Sequence, residues 1–251
     1  MSVVLRNPHS VLAALQARPR DVLEVCAPAR SPGDAWEHVL DLAGSQRIQV
    51  RRRSDRSGGG RRSKADAAKQ SGRTTAAEAT VKKHPGVDLD TLFHDAGARS
   101  DGKGLWLALD HLQDPQNLGA VFRSAAFFGV AGIVLTRERS APLSSTVYDV
   151  ACGGVEVVPF SVLPNLSRAV ELAKKSGLWV LGTSEHAETD VSRIERDRPW
   201  LLVLGNEEQG LRRLTQEKCD MICRLSPQGP VTSLNVSAAA SVLIAKLTGA
   251  V

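Results

Sequence analysis

Three short stretches of this 251-residue chain bring together the side-chain types that could do chemistry: Asn117-Leu118-Gly119-Ala120-Val121-Phe122-Arg123, Leu204-Gly205-Asn206-Glu207 and Ser233-Leu234-Asn235-Val236-Ser237. Amides and hydroxyls orient neutral polar ligands, and an arginine meets a phosphate, a carboxylate or a ribose hydroxyl. Each stretch falls where an apolar, strand-like run gives way to a helix or loop. Open α/β sheets bind their ligands there, outside the carboxyl ends of the strands. Three such stretches predict a single site.

Each stretch also has a plainer explanation. Asp114-Pro115-Gln116-Asn117 reads as a turn into a helix, with Asn117 as its cap and Arg123 nearly two turns below, or as an ordinary cap followed by a paired surface arginine. Gly205 predicts close approach of a ligand to the backbone. Glu207 and Glu208 predict a helix start, where free amides favour carboxylates. Ser233 or Asn235 would serve as a cap, but capping uses only one of them beside the loop Pro227-Gln228-Gly229-Pro230.

The elements that must hold these residues follow from periodicity. From Leu105 onward, strand-like runs at Leu105–Leu109, Ile133–Thr136, Leu178–Gly182, Trp200–Gly205 and Met221–Leu225 alternate with helical patterns at Leu118–Phe128, Leu163–Lys175, Leu211–Lys218 and Val236–Leu247. Mostly apolar strands separated by helices predict a parallel sheet covered on both faces. Residues 1–50 read as a small α/β unit, with a helix opened by Ser10, a strand over Asp21–Cys26, a helix over Asp34–Leu42 stopped by Gly44, and a strand beginning at Ile48. Residues 51–100 read as a basic linker, and 101–251 as the main domain. Counting 51–83 gives 11 Lys/Arg against 3 Asp/Glu, a balance of +8. With a net charge of +5 overall, the rest carries 5 − 8 = −3. A basic tract on a near-neutral body predicts an anionic partner, nucleic acid first, or a solvated linker.

Composition excludes several classes. No apolar run approaches the roughly 20 residues that span a bilayer, and Met1–Arg6 lacks a secretory apolar region, so the expected location is the cytoplasm. Cys26, Cys152, Cys219 and Cys223 are too few and scattered for a disulfide scaffold or a zinc site. They read as structural thiols. Neither a nucleophile elbow nor a Walker A loop is present, Gly153-Gly154 lacks dinucleotide spacing, and the six histidines are dispersed. No metal is expected.

In order and spacing, the three stretches resemble the SpoU/TrmH family of RNA ribose 2′-O-methyltransferases, of the SPOUT class, over about residues 104–251. Val150-Ala-Cys-Gly-Gly-Val-Glu156, Leu178-Trp-Val-Leu-Gly-Thr183 and Arg212-Arg-Leu-Thr-Gln-Glu217 resemble the bacterial RlmB-type branch that methylates a guanosine of 23S ribosomal RNA. Leu5-Arg-Asn-Pro-His-Ser-Val-Leu-Ala-Ala-Leu15 is similar to the opening of the family's L30e-like RNA-binding domain, here shortened. The family's closing His-Gln-Gly stands as His84-Pro85-Gly86. Glu208 replaces a usually small residue, and Ser226-Pro227-Gln228 stands where Pro-Met is commoner.

The resemblance implies a deep C-terminal trefoil knot, an exception to the unknotted-chain rule, a homodimer, and S-adenosyl-L-methionine as cofactor. It implies cofactor contacts at Thr183, Leu204, Gly205, Leu225 and Leu234, and catalytic roles for Arg123, Asn117, Glu207, Ser233 and Asn235. Arg123 would remove the hydroxyl proton itself or through an RNA phosphate. A free guanidinium keeps its proton to above pH about 12, which makes the direct role demanding. The alternatives are a tRNA ribose methyltransferase using the same residues, and a catalytically silent RNA-binding ribosome-assembly factor.

Overall fold

The computed structural model describes residues 1–28, 33–53, 77–99, 103–206 and 210–251. The chain divides into two compact units, Met1–His84 and Pro85–Val251.

In the first unit, β1 (Ser2–Leu5), α1 (Pro8–Ala17), β2 (Val22–Pro28), α2 (Asp34–Ser45), β3 (Val50–Arg53) and β4 (Glu78–Lys82) form a four-stranded sheet ordered β1-β4-β2-β3. Strand β4 runs antiparallel to both neighbours, and β2–β3 is parallel. Helices α1 and α2 pack together, burying Val11, Leu15, Trp36 and Val39.

Three expectations are corrected here. Helix α1 is capped by Asn7, whose side chain accepts from the His9 amide at 2.9 Å, with Pro8 in the first turn. Ser10 lies inside the helix and is buried, because a proline at the first helical position already satisfies the start. Helix α2 runs through Gly44 to Ser45, and the chain turns instead at Arg47, which has φ 58°. The small unit does not end at residue 50. Arg51–Arg53 continue β3, where Arg51 pairs with Glu24 at 2.8 Å, and β4 supplies a central strand. The apolar Ala79 and Val81 are what give β4 a buried face. Residues 54–76 of the basic tract lie outside the described residues.

The second unit begins with α3 (Leu89–Phe93) and α4 (Ala96–Arg99). It continues as β5 (Leu105–Leu109), α5 (Pro115–Phe127), β6 (Gly132–Thr136), α6 (Ser145–Ala151), α7 (Gly154–Val157), β7 (Phe160–Leu163), α8 (Ser167–Lys175), β8 (Trp179–Thr183), β9 (Thr189–Asp190), β10 (Trp200–Leu204), α9 (Arg213–Gln216), β11 (Met221–Arg224) and α10 (Val236–Thr248). Its seven strands are ordered β7-β6-β5-β10-β8-β11-β9, every pair parallel. The expected α/β parallel sheet is present. Strands β7 and β9 and helices α6 and α7 add to the elements read from periodicity, and Leu211–Lys218 shrinks to the single turn of α9.

Strands β5, β6 and β10 are buried at every position, as a sheet covered on both faces requires. One face packs Trp106, Ala108, Val134, Val180 and Val203 against Leu89, Leu92 and Phe93 of α3 and Ala169, Val170 and Ala173 of α8. Helix α10 packs on β5 and on α5, which also packs against α6 and α7. No described helix is long and apolar enough to cross a membrane.

Candidate active site

Because the strands are parallel, every carboxyl end lies along one sheet edge. Strands β5, β10, β8 and β11 are consecutive there. The first stretch therefore follows β5, Leu204 and Gly205 close β10, Thr183 closes β8, and Leu225 follows β11. Residues far apart in the chain share one edge.

Helix α5 starts at Asp114, whose carboxylate accepts from the Gln116 amide at 2.9 Å, with Pro115 next. This corrects the placing of Asn117 at the cap: it lies within the first turn and is buried. Arg123 lies on the same helix, exposed, and makes no hydrogen bond or ion pair among the described residues. The helix can lie close to its neighbours only because of two glycines. A Cβ on Gly119 would stand 2.7 Å from Val150 Cβ and 2.8 Å from the Val147 carbonyl oxygen of α6. A Cβ on Gly154 would stand 2.6 Å from the Phe122 carbonyl oxygen and 3.2 Å from the Arg123 amide nitrogen.

Ser124, beside Arg123, reaches Ser241 of α10, with their hydroxyls 2.7 Å apart. Ser241 donates its single proton to the Ser237 carbonyl at 2.8 Å, so Ser124 is the donor between them. At the start of α10 the capping role falls to Asn235. Its Oδ1 accepts from the Ser237 amide (2.9 Å) and the Ser237 hydroxyl (2.6 Å). With Oδ1 doubly engaged, the amide nitrogen Nδ2 is what remains to meet a ligand. Ser233 and Leu234 are exposed, the latter by 58%. Hydrogen bonds thus link the first stretch to the third.

In the second stretch, a Cβ on Gly205 would collide with the backbone of Gly210 and Leu211, so the close approach of the chain to itself already requires glycine there. Asn206 and Gly210 exchange backbone hydrogen bonds at 3.1 and 3.0 Å. Glu207 and Glu208, and with them the expected helix start, lie outside the described residues. On β8, the Thr183 hydroxyl donates to the Val203 carbonyl at 3.1 Å, and Ser184 N–H donates to the Cys223 carbonyl at 3.0 Å.

Leu225 is half-buried, and its neighbour Ser226 is held by Asp190, whose carboxylate accepts from the Ser226 and Ser192 amides at 3.1 and 2.9 Å. Hydrogen bonds from Ser192 and then Ser226 hold the Asp190 carboxyl well below the usual carboxylate range. A depressed carboxyl stabilises the fold above its unfolded pKa of about 3.9 and loses that contribution as pH falls. Asp190→Ala is therefore expected to lower stability in full at neutral pH, with the gap to the unmodified protein shrinking below pH about 4. Urea titrations at several pH values check this.

In the sequence Asp110 reads only as a strand end. It is 2% exposed, and its carboxylate receives Arg212 through Nη2 at 2.8 Å and Nε at 3.2 Å, and the Thr215 hydroxyl at 3.0 Å. An aspartate directly after five buried apolar residues must find a partner, and that is the signal that was available.

The four described cysteines are free. Burial pushes the Cys223 thiol up to about 12 and the Cys219 thiol up to about 11, which fits structural thiols. In the folded protein at pH 8 both are expected to resist alkylation and to react only after denaturation, read by mass spectrometry of the labelled peptides. Among the described residues no group of acidic, His or Cys side chains could hold a metal.

A family model described as the SpoU rRNA methylase family matches residues 104–245. The 23S rRNA (guanosine-2′-O-)-methyltransferase RlmB of Pseudomonas aeruginosa is 35% identical over 236 residues, covering 94% of this chain and 92% of that protein. RlmB of Xylella fastidiosa is 35% identical over 240 residues, with 94% and 92% covered. Among solved structures, the SpoU methyltransferase AviRb from Streptomyces viridochromogenes in complex with AdoMet superposes with a TM-score of 0.78 at 20% identity, covering 99% of this chain and 90% of that one. An AdoMet-bound rRNA methyltransferase from Sinorhizobium meliloti gives 0.74 at 20% identity, covering 98% and 86%. At these identities the two structures establish a shared fold.

Proposed function

Because the chain belongs to the SpoU rRNA methylase family, we propose that it transfers a methyl group from S-adenosyl-L-methionine to the ribose 2′-hydroxyl of a guanosine in 23S ribosomal RNA. The observation that supports this reading is the strand order β5-β10-β8-β11, which brings the carboxyl ends leading into the first and second stretches, with those of β8 and β11, to one edge.

The residues at that edge fit the cofactor. Leu225 and the 58%-exposed Leu234 leave apolar surface for a flat ring, Leu204–Gly205 and Thr183 end adjacent strands, and the donor set is uncharged, as a nucleoside needs. S-adenosyl-L-methionine supplies a methyl group already activated by its sulfonium. What the protein must add is alignment and removal of one proton. Arg123, as a guanidinium, would pair with the RNA phosphate that receives this proton, and could take it directly only in its neutral guanidine form. The Asn235 amide nitrogen and the Ser233 hydroxyl would hold the ribose side, and the family reading assigns Asn117 and Glu207 orienting roles.

Finer features follow from the same family reading. Strand β10 enters between β5 and β8, which both precede it in the chain, and α10 returns to α5; this order supports a C-terminal trefoil knot. The α/β architecture of Met1–His84 supports an L30e-like RNA-binding unit. Phe127, 82% exposed on α5, and Val242 on α10 supply apolar surface for a second copy, and a homodimer acting in the cytoplasm is the form expected to be active. Incubation with tritiated cofactor and total RNA, followed by separation of 23S, 16S and transfer RNA, tests the function. Label in 23S RNA is expected; label in transfer RNA alone, or in none, overturns it.

A further inference from the structure

The corner at Asp110 and His111 is built more heavily than a strand end requires. Asp110 N–H donates to the Leu204 carbonyl at 2.8 Å, while its buried carboxylate holds the fork of Arg212 and the hydroxyl of Thr215. His111 sits at φ 62°, a conformation few side chains other than glycine adopt without support. The support is present on both sides: His111 N–H donates to the Thr136 hydroxyl at 3.0 Å, and the His111 carbonyl accepts from the Asn206 side-chain amide at 3.0 Å. Residues 204–206 and 210–215 are thereby tied at both ends to a single corner. From that corner the chain also leads into α5, which carries Asn117 and Arg123.

We propose that Asp110 is a positioning residue which, through Arg212 and Thr215, holds the described residues that follow β10, Gly205, Asn206, Gly210 and Leu211, in the place that binds the cofactor. The proposal rests on the function given above. Arg212 sits with its side chain 47% exposed, so an isolated surface pair would contribute little. The bidentate geometry onto a carboxylate that is 1% exposed is what fixes the direction of the segment. A lysine would keep the charge and lose the fork.

The test measures binding of S-adenosyl-L-methionine to the full chain by calorimetry, without RNA, for the unmodified protein, Asp110→Asn and Arg212→Lys. A control, Val170→Ala, removes methyl groups from α8 on the α3–α8 face of the sheet. Asp110→Asn is expected to raise Kd about tenfold or more, with Arg212→Lys between it and the unmodified protein. The control is expected to lower Tm and leave Kd within about twofold. At saturating cofactor, kcat of the Asp110 variant is expected to stay within about threefold, so that the loss falls on KM for the cofactor. A folded Asp110→Asn with unchanged Kd overturns the proposal, as does a control that weakens binding equally. Should Asp110→Asn fail to fold, Arg212→Lys at the half-exposed end of the pair decides by the same criterion. An unmodified protein that does not bind the cofactor overturns the function itself, a result distinct from these.

Discussion

Arg123→Ala is expected to reduce methyl transfer by about 10²- to 10⁴-fold, the range that a positioned proton acceptor supplies, while leaving fold and cofactor binding intact. The side chain is exposed on α5 and makes no hydrogen bond or ion pair among the described residues, so its removal opens no cavity and strands no buried charge. The helix around it is held by other groups: Asp114 at the cap, Phe122 and Val121 in the core, and Ser124 against Ser241. The loss should therefore appear in kcat, with Tm and the cofactor Kd unchanged. Arg123→Lys is expected to recover only part of the activity, because an ammonium cannot present the planar fork that meets a phosphate or the two oxygens of a ribose edge. Single-turnover methyl transfer, read beside calorimetric cofactor binding, checks both variants.

Gly154→Ala is expected to damage the same step from a distance. A single methyl there would sit 2.6 Å from the Phe122 carbonyl oxygen and 3.2 Å from the Arg123 amide nitrogen, so either α7 or α5 must move. Overpacking of this kind costs about 1–3 kcal/mol. At about 2–4 °C per kcal/mol for a unit of this size, the fall in Tm should be plainly measurable. The larger effect is on catalysis, since a displacement near 1 Å of a positioned group costs about 10²-fold in rate. Gly44→Ala makes the contrast: it lies inside α2 with open space around its Cβ position, and alanine there is expected to be neutral or to stabilise by up to about 1 kcal/mol. Thermal melts and kcat on the two variants separate a close-packing glycine from a replaceable one.

Much of this fold is written locally. Leu105–Leu109 and Trp200–Leu204 are unbroken apolar runs, and each becomes a strand buried at every position. Helix α10 begins at the expected Val236, with Asn235 as its cap. Short elements carry too few residues to show a period. Thr189–Asp190 is a strand only because β11 lies alongside, and β4 pairs with β1 and β2 across a long sequence separation. The polar residues of the candidate site were legible as types near strand ends, and the sheet order brings the ends of β5, β10, β8 and β11 to one edge. Partnerships between distant residues were not legible. Nothing near Asp110 announces Arg212 and Thr215, which lie 102 and 105 positions away. Gly205 shows a reason that was not legible, because backbone meeting the backbone of Gly210 and Leu211 looks the same in sequence as backbone meeting a ligand.

Transfer of the methyl group to a ribose 2′-hydroxyl rather than to a base is decided by the chemistry of the product. After reaction with unmodified 23S RNA and S-adenosyl-L-methionine, the RNA is digested to nucleosides and resolved by mass spectrometry. The expected product is 2′-O-methylguanosine, with fragmentation leaving the added mass on the sugar, and it is expected to be lost in Arg123→Ala. A methyl group found on the base, or 2′-O-methylguanosine formed equally well by Arg123→Ala, would contradict it.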